Sequence, residues 1–266
     1  MDASEFAGKV AVVTGGTKGI GFGAARRLAQ GGASVLMCGI DQMECDQAAN
    51  SLRAEGVEAS AFCADVRHSD QVRQLMEQAV ILYGGIDILV NSAGVQRYGD
   101  VVDTPEEVWD EVIDTNLKGI FLACKHALPE MRKRSGGSVV NVSSVQAFAS
   151  QKGVAAYTAS KGAINAMTRA MALDHAGENI RFNAVCPASV DTPMLRWAAD
   201  GFKEDKTVNQ MIDSWGQMHP LHRVAKIEEV AELIAFLASS RASFITGGEY
   251  KIDGGMTAAL GVHLPE

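Results

Sequence analysis

Short apolar runs alternate with amphipathic helical patterns along nearly the whole chain. The first run, KVAVVT at 9–14, is typical of a strand buried on both faces, because it is short and rich in β-branched residues. The pattern at 70–83 is typical of a helix, since Val72, Leu75 and Met76 fall on one face. The same reasoning predicts strands at 9–14, 34–38, 59–63, 86–90, 138–142, 180–186 and 250–252, and helices at 20–30, 41–55, 70–83, 105–131, 155–176 and 227–238.

Residues at helix starts sharpen two of these boundaries. Asp41 precedes the helix that ends at Glu55, and we expect it to cap that helix. The segment 104–107, TPEE, predicts a capping box with proline at the first helical position. It opens one long helix that runs past Asn116 toward Met131.

Strands that alternate with helices predict an α/β fold with a single doubly wound parallel sheet and helices on both faces. No linker, repeat or block of like charge divides the chain, so we expect one domain over residues 1–266. Only 193–220 breaks the alternation, because it is polar and carries Trp197 and Trp215 between a strand and the last helix. We expect a small helical lid that closes on a ligand there, rather than a plain surface excursion.

Composition narrows the class of protein. Of the 266 residues, 47% are apolar and 21% are charged, which excludes a mostly disordered chain. The formal net charge is -8 and no run of Lys and Arg is longer than 132–134, so we expect no nucleic-acid partner. An acidic balance of this size fits a protein that acts on a small molecule.

The cysteines and the N-terminal residues indicate the cellular compartment of the protein. The five cysteines are scattered without the spacing of a disulfide framework or zinc site, so we expect no metal. Cys38, Cys63, Cys124 and Cys186 lie among apolar residues and are interpreted as core side chains. Residues 1–5 do not resemble the start of a signal peptide, and no apolar run reaches the ~18 residues of a membrane span. We therefore expect a cytoplasmic protein with no membrane partner.

A glycine-rich turn follows the first strand. Gly15, Gly19 and Gly21 have the spacing G-x-x-x-G-x-G between a strand and a helix. Such a turn brings backbone N–H groups close to a pyrophosphate at the helix N-terminus. The alternative is a turn that only allows tight packing of the strand against the helix.

Three further side chains are candidates for catalysis. Tyr157 and Lys161 are four residues apart in a helical stretch, so the phenol and the ammonium share a face. A phenol titrates near ~10 and needs a nearby cation to act as a base at neutral pH. Ser144 follows the fifth strand, at the rim where open α/β sheets bind ligands. Each feature alone is more often structural than functional.

Taken together and in order, these motifs resemble those of the short-chain dehydrogenases/reductases. The resemblance covers nearly the whole chain and rests on TGxxxGIG at 14–21, Asp65 with Val66, NSAG at 91–94, Asn116, Ser144, YxxxK at 157–161, and Pro187 with Thr192. It implies a Rossmann-like fold and an NAD(P)-dependent oxidoreductase that transfers a hydride to or from a secondary alcohol or carbonyl compound. The rival from another class is a non-catalytic dinucleotide sensor, against which the intact Ser, Tyr and Lys set argues.

The resemblance also implies roles for individual residues. Tyr157 would exchange a proton with the substrate oxygen, while Lys161 would hold the nicotinamide ribose and lower the pKa of Tyr157. Ser144 would hydrogen-bond the substrate oxygen, and Asn116 would anchor a water in a proton relay. The implied cofactor-binding residues are Gly15, Thr17, Lys18, Gly19, Ile20, Gly21, Gly39, Ile40, Asp65, Val66, Asn91, Ala93, Gly94, Tyr157, Lys161, Pro187, Val190 and Thr192.

Two positions depart from the family pattern. Ser92 stands where a second asparagine is usual, and we expect the loop to stay intact. Ala188 stands where a glycine usually follows Pro187. Its methyl group either narrows the pocket or is absorbed if the backbone φ is negative.

Cofactor choice depends on the end of the second strand. NAD enzymes place a carboxylate there for the adenosine 2′-hydroxyl, but this position matches Gly39. NADP enzymes of the family often place an arginine at the next position, which is Ile40 here. Lys18 is the cation expected to meet a 2′-phosphate, which favours NADP over NAD and leaves dual use open.

The substrate is the second open question. The expected substrate-side residues are Gln96, Gln146, Gln151, Ala188, Met194 and Trp197, with Trp215 nearby. Three glutamines near the catalytic rim suit a sugar or polyol, since each hydroxyl removed from water needs a partner. The alternatives are a 3-oxoacyl or hydroxysteroid substrate, and glutamines that face solvent.

Apolar positions on two helices point to an assembly. The helices at 105–131 and 155–176 carry more apolar residues than packing against one face of the sheet can bury. Examples are Leu117, Ile120, Phe121, Met167, Met171 and Leu173. Together with the resemblance, they lead us to expect a homotetramer. We expect the tail at 256–266 to lie against a neighbouring subunit.

Overall fold

A computed structural model describes residues 4–260. Its strands are β1 Val10–Thr14, β2 Ser34–Gly39, β3 Ala59–Cys63, β4 Ile88–Asn91, β5 Gly137–Val142, β6 Ile180–Pro187 and β7 Glu249–Ile252. They form one parallel sheet in the order β3-β2-β1-β4-β5-β6-β7. The chain reverses its direction of progress across the sheet between β1 and β4, and a ligand crevice is expected at such a point.

Helices cover both faces of the sheet. They are α1 Gly19–Gln30, α2 Gln42–Ala54, α3 Ser69–Tyr83, α4 Glu106–Ile113, α5 Gly119–Lys133, α6 Ala155–His175, α7 Pro193–Phe202, α8 Val208–Gly216 and α9 Ile227–Ala238. The core on one face is built with α1, α2 and α9, and the core on the other with α3, α5 and α6. The predicted doubly wound α/β fold is therefore confirmed.

The residues of β1 are mostly apolar because this strand faces two cores. In β1, Ala11 and Val13 belong to one core and Val12 belongs to the other. All three side chains are fully buried. This alternation explains why the sequence shows an unbroken apolar run instead of an apolar–polar pattern.

The predicted long helix at 105–131 is wrong in its continuity. A π-helical turn, Asp114–Lys118, separates α4 from α5. The turn carries the buried side chain of Asn116. Its place in the site explains why a regular helix is interrupted there.

The predicted capping box at 104–107 is also wrong. Pro105 is the N-cap of α4 and no side chain caps that helix. The Thr104 hydroxyl donates instead to the carbonyl of Asp100. The Asp100 carboxylate accepts from the backbone N–H groups of Val102 and Asp103, so a local turn holds Thr104 away from the helix end.

Other boundaries lie within a few residues of the prediction. Asp41 caps α2 as predicted, since its carboxylate accepts from the N–H of Glu44 at 2.9 Å. β4 begins at Ile88 instead of residue 86, although Ile86 is fully buried. A 3₁₀ turn, Ala176–Glu178, follows α6.

Segment 193–220 contains α7 and α8. The Thr192 hydroxyl caps α7 by accepting from the N–H of Leu195 at 3.2 Å. Thr207 and Gln210 form a capping box at the start of α8. A helical insertion is therefore present, and its closure over a ligand remains a prediction.

All five cysteines are free thiols. Cys45 is buried, although the sequence did not indicate it as a core residue, and Cys63 is only half-buried. Within residues 4–260, no helix combines the length and the apolar character needed to cross a membrane.

Candidate active site

A cleft of about 1470 Å³ lies along the carboxyl ends of the strands. Sites for a single small ligand usually occupy roughly 300–1,000 Å³. The cleft therefore has room for a dinucleotide and a second molecule.

The glycine-rich turn forms one end of the cleft. Gly15 has a φ of 62°, and a Cβ atom there would lie 2.7 Å from the backbone of Ala93. A Cβ atom on Gly21 would overlap the carbonyl of Gly15. α1 begins at Gly19, and the side chain of its N-cap, Lys18, makes no capping bond. The first N–H groups of α1 therefore have no side-chain acceptor, and they can donate to a pyrophosphate bound at this turn.

The structure brings most of the predicted site residues to the surface of this cleft. Those that line it are Gly15, Thr17, Lys18, Gly19, Ile20, Gly39, Ile40, Asp65, Val66, Ala93, Gly94, Gln96, Ser144, Gln146, Gln151, Tyr157, Lys161, Pro187, Ala188, Val190, Thr192, Met194, Trp197 and Trp215. Gly21, Asn91 and Asn116 do not line it.

The side chain of Asn91 corrects one expectation. Its amide donates to the side chain of Asn141 at 2.9 Å and to Cys124 Sγ at 3.7 Å. Asn91 is the last residue of β4, pairs with Asn141 of β5 and is 1% exposed, and it does not line the cleft. Direct side-chain contact with a bound ribose is therefore not supported.

Asn116 is fully buried beneath the loop that follows β4. Its Oδ1 accepts from the N–H of Val95 at 2.8 Å, and its Nδ2 donates to the carbonyl of Val95 at 3.0 Å. Nδ2 also donates to Ser160 Oγ at 3.1 Å. The π-helical turn thus places an amide that fixes the backbone of one cleft wall.

Ser144, Tyr157 and Lys161 converge on the cleft from β5 and α6. The Ser144 hydroxyl follows the carboxyl end of β5, donates to the carbonyl of Pro187 at 3.4 Å and acts to lower the pKa of the Tyr157 phenol. Lys161 Nζ donates to the carbonyl of Val142 at 2.9 Å and lies 5.3 Å from the centroid of the Tyr157 ring. All three side chains are buried, so their hydroxyl and ammonium groups are held in a water-poor wall.

Burial controls the ionisation of this group. It raises the pKa of Tyr157 to about 12, against the lowering effect of the Ser144 hydroxyl. It lowers the pKa of Lys161 to about 8. The expected lowering of the Tyr157 pKa by Lys161 does not contribute to this shift, which is set mainly by desolvation of the phenol.

The adenosine end of the cleft contains two ion pairs. Lys18 Nζ lies 2.9 Å from a carboxylate oxygen of Glu44, so the predicted phosphate-binding cation already has a partner. Arg67 binds both oxygens of Asp65, and this hydrogen bond holds the pKa of Asp65 below its usual range. A Cβ atom on Gly39 would lie 2.7 Å from Thr17 Oγ1, so this position has little space for a carboxylate side chain.

The two departures from the family pattern fit without strain. The N–H groups of Ser92 and Ala93 donate to Thr14 Oγ1 at 3.2 and 3.3 Å, which ties the loop to β1. Ala188 is not among the residues with a positive φ, and its N–H donates to the carbonyl of Ile252 at 3.2 Å. Its methyl group is therefore compatible with the backbone.

Two of the three glutamines bond to each other. Gln146 Nε2 donates to Gln151 Oε1 at 3.3 Å, and Gln146 Oε1 accepts from the Thr158 hydroxyl at 3.2 Å. Part of the polar capacity of this pair is therefore used within the protein.

Several cleft residues were not predicted from the sequence. They are Glu44, Arg67, Tyr98, Phe148, Phe202, Met211, Met218 and Met256. Tyr98 had a usable signal, because it lies in the loop after β4, at the carboxyl rim of the sheet. Glu44 and Met218 lie far along the chain from the motifs, and only the fold brings them to the cleft.

The sequence of this chain is similar to those of known dehydrogenases and reductases. A family model described as enoyl-(acyl carrier protein) reductase matches residues 15–257. Dehydrogenase/reductase SDR family member 4 of Oryctolagus cuniculus is 40% identical over 255 residues, which covers 96% of this chain and 95% of that protein.

Two solved structures are similar in sequence and in fold. The ligand-free aldohexose dehydrogenase of Thermoplasma acidophilum is 37% identical, with a TM-score of 0.90 and 99% of each chain covered. A single-residue variant of the actinorhodin polyketide ketoreductase, solved with NADPH, is 33% identical, with a TM-score of 0.91, covering 96% of this chain and 98% of that one. The chain belongs to the short-chain dehydrogenase/reductase family.

Proposed function

We propose that the protein is an NADP-preferring oxidoreductase that interconverts a secondary alcohol and a ketone. The observation that carries this proposal is the buried group of Ser144, Tyr157 and Lys161, which opens onto the same cleft as the glycine-rich turn. A bound nicotinamide dinucleotide supplies or accepts the hydride. The protein has to bind the substrate, orient its oxygen and move one proton.

In the direction of carbonyl reduction, Tyr157 acts as the general acid. With a pKa raised to about 12 by burial, its phenol keeps its proton at neutral pH and donates it as negative charge develops on the substrate oxygen. The Ser144 hydroxyl stabilises the same oxygen. Lys161 supplies a buried cation beside the phenol. Asn116 holds the backbone of Val95, so its role here is to position the cleft wall.

The preference for NADP rests on charge at the adenosine end. Gly39 offers no carboxylate to a 2′-hydroxyl, and Lys18 is more than half exposed at the rim. A 2′-phosphate would compete with Glu44 for the Lys18 ammonium. Because Glu44 opposes the phosphate by like charge, we propose a preference between the cofactors without exclusion of NAD.

The substrate class has two groups of candidates. A sugar or polyol follows from the three glutamines, and the likeness to an aldohexose dehydrogenase supports it. A 3-oxoacyl or hydroxysteroid substrate needs a more apolar pocket. The hydrogen bond between Gln146 and Gln151 weakens the first case, because it occupies amide groups that hydroxyls would need.

We also propose a homotetramer in the cytoplasm, with 193–220 acting as a lid. Phe121 on α5 is 51% exposed and Leu173 on α6 is 82% exposed, which supports an interface there. Ile120 does not contribute to this surface, because it is 3% exposed and belongs to the core. The tail was expected to reach a neighbour; its last part, 261–266, lies outside the described residues.

Substitution of Tyr157 by phenylalanine tests the proposed reaction. Ketone reduction with NADPH should fall by at least about 10²–10⁴, because a general acid is lost, while NADPH affinity should stay unchanged. Tyr83→Phe is the matched control, since this phenol bonds to Ser60 outside the cleft. Turnover by Tyr157→Phe within tenfold of the unmodified enzyme would refute the assignment.

A further inference from the structure

We infer that the substrate end of the cleft binds a bulky apolar ketone, or the matching alcohol, that carries a planar aromatic ring. This inference rests on the proposed function and narrows its substrate class. It follows from three separate properties of the cleft: an aromatic wall, a set of methionines, and polar side chains that are bonded to each other.

The aromatic wall joins the loop after β4 to α7. The ring of Tyr98 lies nearly parallel to that of Trp197, with centroids 6.0 Å apart and an angle of 23°. It meets the ring of Phe202 edge-on, at 4.7 Å and 84°. These are the offset-stacked and T-shaped arrangements that aromatic pairs prefer, so the rings support one another in fixed orientations.

Much of this wall remains uncovered. Trp197 is 53% exposed and Phe202 is 46% exposed, and both line the cleft. Large aromatic surfaces left in water at the reactive rim of a sheet are costly unless a ligand covers them. A planar ring is the ligand group that gains both burial and aromatic stacking from such a surface.

Methionines form much of the remaining apolar lining. Met194, Met211, Met218 and Met256 border the cleft together with Trp215. Methionine side chains are flexible and polarisable, and they make favourable contacts with aromatic rings. Walls of this kind adapt to the outline of a bulky apolar molecule and offer nothing to a row of hydroxyls.

The polar side chains near the wall are bonded to one another. Gln146 donates to Gln151 at 3.3 Å and accepts from the Thr158 hydroxyl at 3.2 Å. A polyol would have to break these bonds or lose its own hydrogen bonds to water. Among residues 4–260, Gln96 is the remaining glutamine at the cleft, and no hydrogen bond of its side chain appears there.

The apolar wall is adjacent to the reacting groups. Tyr98 is close enough to Tyr157 to help raise its pKa, and Gln151 and Met194 line the same cleft as Ser144. A carbonyl at Tyr157 therefore places the rest of the substrate against Tyr98, Trp197 and the methionines. This geometry selects a compact ring system whose carbonyl is close to the ring.

Three ketones of different character test the substrate class. They are 2-tetralone, which carries a planar benzene ring, 2-octanone, which is apolar and open-chain, and L-erythrulose, which is polyhydroxylated. With NADPH, we expect kcat/KM for 2-tetralone to exceed that for 2-octanone by about tenfold, because stacking is added to burial. The excess over L-erythrulose should reach about a hundredfold. An equal or higher kcat/KM for either comparison ketone would overturn the inference.

Substitutions in the wall test the residues themselves. Trp197→Ala and Phe202→Ala should each raise KM for 2-tetralone about tenfold and leave KM for L-erythrulose unchanged. Ile81→Ala is the control, since Ile81 is an exposed apolar residue on α3 that does not line the cleft. Equal changes for both ketones would indicate a structural role of the rings and contradict the inference.

A binding measurement separates this inference from the proposed reaction. The Tyr157→Phe enzyme loaded with NADPH should bind 2-tetralone in calorimetry more tightly than L-erythrulose. Tight binding of 2-tetralone without its turnover by the unmodified enzyme would refute the proposed reaction and keep the inference. Turnover or binding of L-erythrulose with none of 2-tetralone would refute the inference and keep the reaction. Loss of both binding and turnover of 2-tetralone refutes the inference as well.

Discussion

Lys161 is a buried cation whose Nζ has one described hydrogen-bond acceptor, the carbonyl of Val142 at 2.9 Å. Desolvation disfavours its charged form, which lowers its pKa to about 8. The ammonium has further donors that a ribose hydroxyl can accept from. The fraction of enzyme that carries this ammonium therefore changes within the range of pH used for assays.

We expect NADPH affinity to depend on pH through Lys161. If the ribose is held by the ammonium, the dissociation constant should stay flat below pH 8 and rise above it as Lys161 loses its proton. Fluorescence titration with NADPH at pH values on both sides of this pKa measures the change. Lys161→Met should bind weakly at every pH and lose the dependence. A rise of the same size in Lys161→Met would assign the titration to another group.

Cofactor choice should respond to the pair formed by Lys18 and Glu44. Glu44→Gln frees the ammonium and removes a like charge, so NADP affinity should increase about tenfold while NAD affinity stays near its original value. Lys18→Ala should lower NADP affinity and leave NAD affinity nearly unchanged. Calorimetric titration of both variants with both cofactors measures the effect. Equal changes for the two cofactors would show that Lys18 is only a solvated charge.

At the scale of elements, the first βα turn depends on close backbone approach. Gly21→Ala would force a methyl group into the carbonyl of Gly15, which should cost at least about 1 kcal/mol of stability and most of the dinucleotide affinity. Gly201→Ala is the control, because Gly201 lies in α7 with no atom within 4 Å of the added Cβ. It should instead stabilise the helix by about 0.5–1 kcal/mol. Thermal unfolding and NADPH titration of both variants provide the measurements. Native affinity in Gly21→Ala would contradict the close-approach argument.

Elements with a local cause were predictable from the sequence. β1 and β2 are recognisable as short apolar runs, and Asp41 caps α2 through a bond to a residue three positions away. The interruption between α4 and α5 has no comparable local signal, because it serves a contact between Asn116 and the distant Val95. Helical periodicity therefore continued through a segment whose conformation is set by tertiary contact.

The candidate site also contains residues that local motifs predicted and contacts that only the tertiary structure determines. Short motifs identified Ser144, Tyr157 and the glycine turn, since their spacing along the chain reflects local geometry. The partner of Lys18 and the bond between Gln146 and Gln151 depend on side-chain conformations that the sequence does not specify. For this reason the sequence predicted a free Lys18 ammonium and free glutamine amides in the cleft, whereas both are paired in the structure.

At the scale of the whole molecule, large apolar side chains are exposed on two helices away from the cleft. Phe121 on α5 and Leu173 on α6 lie on two helices that pack against the same core, and α6 also carries Tyr157. An interface there would hold α6 from its outer side, so assembly and the orientation of Tyr157 would be linked. The proposed tetramer therefore bears on activity as well as on stability.

Light scattering tests that assembly. The unmodified protein should have four times the 28.2 kDa mass of one chain. Phe121→Asp should shift the distribution toward smaller species, because the interface would lose an apolar ring and would have to desolvate a carboxylate. Ile81→Asp, a similar change of an exposed residue on α3, should leave the mass unchanged. A single-chain mass for the unmodified protein would exclude the tetramer.

The turn at Asp114–Lys118 also limits how the length of this chain can change. A π-helical turn contains about one residue more than an α-helical turn, and one residue advances an α-helix by about 100°. Removal of one residue there would convert it into an α-helical turn, which keeps the register of α5 against the sheet but displaces the Asn116 amide that holds Val95. Exchanges of exposed side chains in this turn should be far better tolerated than a change in its length. Between α4 and α5, evolution or a designer has to preserve both the extra residue of the turn and the asparagine at position 116.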